Sequence, residues 1–209
     1  MALVATIICV SLSSCGDDAD EEDHHGSHQV TMEGYVDLGL PSGVLWAACN
    51  LGASSPEEYG DYYAWGETSP KEKYDQWTSL TWNKTISDFA GNPQYDAATA
   101  NCGKGVRLPT LGDINELLVN TTTEWTEFKG VKGRLVTSKK NGASIFLPAA
   151  GCRREGAINN TSEYGTYWSS TPIKDDKNCA YVLDLKMEYC SSNDKLRFTG
   201  YSVRPVREK

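Results

Sequence analysis

The stretch GDDADEEDHHGSH, residues 16–28, sets the first limit on what this chain can fold into. It carries six carboxylates and almost no apolar side chains, so it cannot bury enough surface to offset the entropy of ordering its backbone. Core formation is left to the rest of the chain. The tract also holds every histidine of the chain, His24, His25 and His28. Ser-His-Asp and Cys-His nucleophiles are therefore excluded from the remainder, as are His-ligated zinc sites. His24, His25 and His28 with Asp23 could hold zinc or nickel weakly, but a site without supporting contacts makes such binding incidental. The tract reads as a tether. Of the net charge of −8, Asp17, Asp18, Asp20, Glu21, Glu22 and Asp23 supply −6, which leaves −2 for everything from His24 onward. A near-neutral remainder offers no electrostatic footprint for nucleic acid or for an anionic membrane surface.

Residues 2–11, ALVATIICVS, form a short uncharged and largely apolar run. A bilayer-spanning helix needs about 20 apolar residues, whereas a secretory signal core needs about 7–15. LSSC, Leu12–Cys15, then reads as a bacterial lipobox, with Cys15 as the lipidated residue. Signal peptides open on Lys or Arg and nothing before Cys15 is charged, so residues 1–14 are read as a lipoprotein signal peptide truncated at its start. Residues 15–31 form the acidic tether; fifteen residues span at most about 50 Å when extended, and self-repulsion drives the segment toward that extended length. The lipid bilayer is the expected partner, reached through the acylated Cys15.

Residues 32–209 are one domain's worth of chain, enough to bury roughly 70% of the unfolded surface. Gly (19), Tyr (11) and Trp (6) are frequent, and short apolar runs alternate with turn residues, as in an exported β-rich protein. Strands are expected near Tyr35–Leu38 and Val44–Cys49, joined by a Pro-Ser-Gly turn. EYGDYYAWGE reads as a further strand with aromatic residues on both faces. Residues 66–94 are polar and read as a long surface excursion. YDAATAN can make two turns of helix, and LPTLGDINELLVN is the clearest helix. There Thr110 is an N-cap with Asp113 three positions on, and Leu111, Ile114, Leu117 and Leu118 form one apolar face. GRLVTS, ASIFLPAAG, TYWSST, AYVLDLKM and YSVRPV return to strands. The fold class this predicts is α+β, two helices packed on a twisted, mainly antiparallel sheet with long loops.

The motifs YVDLGLPSGVLWAACNLGA, YGDYYAWGE, YDAATANCGKGVRLPT, SIFLPAAG, YWSST and YSVRPV occur in this order. Together they resemble the Fibrobacter succinogenes major paralogous domain carried by Bacteroides-type lipoproteins. The match runs from about Glu33 to Arg207. The resemblance implies a C-type-lectin-like fold, with ligand-binding loops before the final strands. The acidic tract likewise resembles the export signal of surface-exposed lipoproteins of Bacteroidetes, which implies an outer-membrane protein facing the cell exterior. The chain departs from the family at Cys102, where a tryptophan is expected, and at Cys152, where an aromatic is usual. With Cys49, Cys179 and Cys190 these make five cysteines after Cys15, open to one or two disulfides or to buried thiols.

Those loops supply the candidate ligand-binding residues: Arg153, Arg154, Glu155, Asn159, Asn160, Glu163 and Tyr164, then Lys174, then Tyr189 and Asn193. Their planar polar groups and rings suit sugars or protein surfaces. Trp46, Trp65 and Trp168 lie inside strand motifs and are expected in the core. The Glu-Pro-Asn and Trp-Asn-Asp motifs of calcium-dependent lectins are absent, so no calcium, other metal or cofactor is expected, although Asp175, Asp176, Asn193 and Asp194 leave a hard-cation site conceivable. No catalytic residue is expected either. Glu57, Glu58, Asp61 and Glu67 read as a solvated rim rather than a hydrolytic pair. Cys179 and Cys190 lack the motif of the formylglycine-generating enzymes. The expected function is a lipid-anchored surface module that binds a glycan or a protein. The alternative is a structural or assembly subunit of an outer-membrane complex, with an enzyme the weakest reading.

Overall fold

The computed structural model describes residues 34–209. The expected signal peptide, lipidation site Cys15 and tether therefore lie outside the described residues. Within them the chain starts and ends in one sheet. β1 (Tyr35–Val36), β2 (Leu45–Ala47), β3 (Val106–Arg107) and β12 (Val206–Arg207) pair in the order β1-β2-β12-β3. The strands are two or three residues long, because Pro41–Gly43 and the turns beyond Ala47 interrupt the apolar runs.

Between β2 and β12 come α1 (Ala97–Cys102) and α2 (Leu111–Asn120), then β4 (Thr121–Phe128), β5 (Val131–Ser138) and β6 (Ser144–Pro148) as a meander. β7 (Cys152–Arg154) and β8 (Ala157–Asn159) form a hairpin. β9 (Tyr164–Ile173), β10 (Asp176–Lys186) and β11 (Cys190–Leu196) form a second antiparallel meander, with β10 in the centre.

This corrects the expected fold class. The described residues are mostly β, with 39% strand against 9% helix, and their strands fall into several small antiparallel sheets rather than one sheet carrying two helices. The C-type-lectin-like expectation fails with it. α1 stops after six residues, where Gly103 takes φ 91°. The polar run after α2, TTTEWTEF, turns directly into β4, since Thr, Trp and Phe favour an extended pleated backbone. EYGDYYAWGE is also not a strand: it makes a single bridge, Tyr63 to Tyr201. Its rings hold it instead. Tyr63 and Trp65 enter one apolar cluster, while Tyr62 and Ala64 enter another with Tyr74.

β10, the central strand of this meander, is covered on both faces. Ala180 and Val182 of β10 pack with Trp65, Trp168 and Tyr201. The alternate residues Leu183 and Leu185 pack with Trp46 and with Ile114 and Leu117 of α2. Trp46, Trp65 and Trp168 are all buried, as expected. α2 is held by the anticipated capping box, Thr110 with Asp113. Burial works against ionisation of Asp113, yet hydrogen bonds from Arg107 and Thr110 outweigh it and hold the carboxyl below its ordinary value.

The fully buried Arg204 ties the two halves of the core. It donates to Asn50 Oδ1, to the carbonyls of Ala47 and Ala48, and to that of Phe146 at 2.8 Å. A buried guanidinium is tolerable only when its donors are used in this way.

Candidate ligand-binding cleft

The excursion after Trp65 is a built loop. Glu67, itself buried, accepts from Lys71 Nζ at 2.9 Å and from the Leu80 amide at 2.9 Å, closing residues 67–80. The Thr81 hydroxyl donates to the Trp65 carbonyl at 2.7 Å. Tyr74 is buried inside the loop, and its hydroxyl donates to the Tyr62 carbonyl. Asp75 accepts the amides of Trp77 and Thr78 at 2.9 and 2.8 Å, an Asx-type turn. The Lys73 ammonium beside Asp75 holds its carboxyl down at about 2. The turn leaves Trp77 85% exposed.

The facing wall is the β7–β8 hairpin. Glu155 and Gly156 form its two-residue turn with φ of 49° and 91°. Asn or Gly is usual at the first of these positions, so the chain bears local strain to present a glutamate there. The Glu155 amide donates to the Tyr74 carbonyl at 3.2 Å, and the Arg153 amide to the Gly200 carbonyl at 2.8 Å. At the hairpin's base Gly151 has φ 63°, and a Cβ there would lie 2.0 Å from the Asn159 carbonyl oxygen, so only glycine fits. The Arg154 guanidinium lies over the Phe198 ring at 5.4 Å, and Trp82 meets the same ring edge-on at 5.1 Å.

Lys73, Asp75, Gln76, Trp77, Arg154, Glu155 and Phe198 thus line a cleft of about 290 Å³ floored by Tyr74. A second cleft of about 410 Å³ lies on the other side of Arg154, lined by Cys179, Asp194, Lys195, Leu196, Thr199 and Tyr201. Beside it Asp184, buried, accepts from Thr166 at 2.8 Å, Tyr189 at 3.2 Å, Asn193 at 3.4 Å and Lys195 at 2.9 Å.

The residues picked from sequence divide accordingly. Arg154 and Glu155 line the first cleft. Arg153 is half-buried over Tyr74. Tyr189 and Asn193 turn to Asp184, and the Tyr164 hydroxyl donates to Cys152 Sγ at 3.0 Å. Asn159 is exposed at the end of β8, and Asn160 and Glu163 are exposed beyond the hairpin, with Asn160 donating to Glu163 at 2.7 Å. Lys174 does not join them. It sits in the β9–β10 turn, a full strand length from Tyr164, or about 30 Å. Sequence reasoning missed Trp77, Phe198, Gln76 and Lys73. The available signal was Trp77 itself, a large ring in the mostly polar and charged KEKYDQWTS.

The remaining candidates have structural partners. Glu57 pairs with Lys129 and Glu58 accepts from Ser54, while Glu67 closes its loop, so these carboxylates do not converge as a catalytic pair. Among the described residues no two cysteines are joined, and no group of three or more His, Cys, Asp or Glu could hold a metal ion. Burial, reinforced by hydrogen bonds to Asp176 and Asp194, pushes the Cys179 thiol up to about 12, which makes it an inert thiol. Among the described residues no helix is long and apolar enough to cross a membrane.

The fold and the cleft together define a mostly β domain with a polar and aromatic surface cleft. Compared with family models, with curated proteins and with solved structures, the chain matches none.

Proposed function

We propose that this chain is a lipid-anchored binding module of the outer membrane, displayed on the cell exterior, whose ligand is a glycan held at the cleft between residues 73–77 and the β7–β8 hairpin. The observation that carries the reading is Trp77, 85% exposed at a cleft that also presents Arg154, Glu155 and Gln76. An open indole offers a flat apolar face to a sugar ring, and planar charged groups beside it hydrogen-bond hydroxyls. The acidic tract after Cys15 and the ordered motifs resembling the Bacteroides-type lipoprotein family support the anchored location. Of the exposed apolar side chains, Trp77 and Leu80 share the loop at the cleft, while Val119 is on α2, Ile158 on β8, Met187 in the β10–β11 turn and Leu196 at the end of β11.

A screen of the protein on arrays of glycans and envelope proteins tests this reading, with Trp77→Ala alongside. Glycan signals that vanish in Trp77→Ala are expected. Signals that survive the substitution, or that come only from proteins, overturn it. Protease treatment of intact cells tests the location: cleavage is expected while a periplasmic control stays intact.

A further inference from the structure

We infer that the ligand is an extended, electrically neutral polysaccharide chain with flat rings, bound across both clefts with Arg154 between its sugar units. This rests on the glycan reading above and specifies it. Three observations lead here.

The first is continuity. Arg154 lines both clefts, and each also takes part of its lining from one stretch of chain, Asp194 to Tyr201, with Phe198 in the first cleft and Leu196 and Thr199 in the second. Taken singly, about 290 and 410 Å³ sit at the low end of small-molecule sites; a ligand that uses both is longer than either.

The second is charge. The combined lining has Lys73, Arg154 and Lys195 against Asp75, Glu155 and Asp194. Two of the cations are already engaged, Lys73 with Asp75 at 2.8 Å and Lys195 with the buried Asp184 at 2.9 Å. The lining itself balances, three cations against three carboxylates, and nothing in that balance favours a sulfated or uronic-acid polymer over a neutral one.

The third is the mix of surfaces. Rings (Trp77, Phe198) and planar polar groups (Gln76, Arg154, Glu155) line the first cleft together. Stacking faces beside hydrogen-bonding groups suit a chain of pyranoses whose hydroxyls are equatorial and whose ring faces are apolar. A β-1,4-linked glucose chain has this shape throughout.

The experiment is calorimetry of the full chain with cello-oligosaccharides, from the disaccharide to the hexasaccharide. Affinity is expected to rise by at least about tenfold along the series, roughly one added contact of 1.4 kcal/mol. Trp77→Ala is expected to weaken every oligomer. Asp194→Ala, on the exposed edge of β11, is expected to weaken only the longer ones, and its circular dichroism and melting curve show whether the sheet is intact. Binding of equal strength at all lengths, or an Asp194→Ala variant that folds and binds the hexasaccharide as well as the parent, overturns the two-cleft chain while leaving the glycan module standing. Failure of the whole series, with glycan signals retained on the array, overturns the neutral flat-ring ligand alone. Failure on both overturns the module itself.

Discussion

Trp65 and Trp77 are twelve positions apart in one aromatic-rich stretch, and they have opposite fates. Trp65 has no exposed surface. Its indole N–H donates to the Ser169 carbonyl at 2.9 Å, Phe89 packs 4.7 Å away, and the Arg197 guanidinium covers its face at 4.1 Å. Trp77 is lifted into solvent by the Asp75 turn, with only the cleft beside it. Composition does not separate the two. What separates them is whether the backbone that carries the ring is itself enclosed: residues 62–67 run between apolar clusters, whereas residues 71–80 are closed on themselves by Glu67 and Tyr74.

The contrast can be broken at several strengths. Trp65→Ala should cost roughly 3–5 kcal/mol, the usual range for emptying a buried aromatic site, and urea denaturation would measure it. A loss under about 1 kcal/mol would mean that the enclosure of residues 62–67 is misjudged. Glu67→Ala strikes the joint between the two regions. It removes the acceptor of Lys71 and of the Leu80 amide, and a loss of about 1–3 kcal/mol is expected. Faster proteolysis within residues 68–80 should accompany it, detected by mass spectrometry of limited digests. Thr110→Ala, at the cap of α2, should cost about 1 kcal/mol and leave the cleft and its ligand binding untouched. Trp77→Ala should change stability by no more than about 0.5 kcal/mol while removing glycan binding.

A pH series sharpens the core side of the comparison. The Asp113 carboxyl is held below its ordinary value of 3.8 in the folded chain, so its stabilisation is complete above that value and is lost as the pH falls through the depressed folded value. The stability gap between the parent and Asp113→Asn should therefore be constant near neutrality and close in acid. A gap that widens in acid would reverse the sign of the Arg107–Asp113 coupling.

Local order was legible where it rests on neighbours in sequence. The α2 cap, its apolar face and the strands around GRLVTS, SIFLP and AYVLDL follow from side chains within a few residues of one another. Two segments were not legible in this way. EYGDYYAWGE has the alternation of a strand but no ladder partner beyond Tyr201, and EYCSSNDK has the composition of a loop but pairs along β10 from Cys190 to Leu196. In both cases the deciding hydrogen bonds go to distant chain. Of the candidate site, the hairpin residues Arg154 and Glu155 were picked from their own loop, whereas Phe198 and Trp77 become neighbours of that loop only through the fold.

Composition and short-range spacing were enough to set the division of labour along the chain. An acidic tract that cannot form a core, an apolar remainder that can, a domain without histidine and a capped helix all follow from them. It took the folded chain to bury β10 on both faces, to keep the sheets small and separate, and to leave Trp77 rather than Trp65 in solvent. Burial of a ring or pairing of a strand depends on what distant chain brings alongside, and residues 71–80, 152–155 and 194–201 meet only after folding.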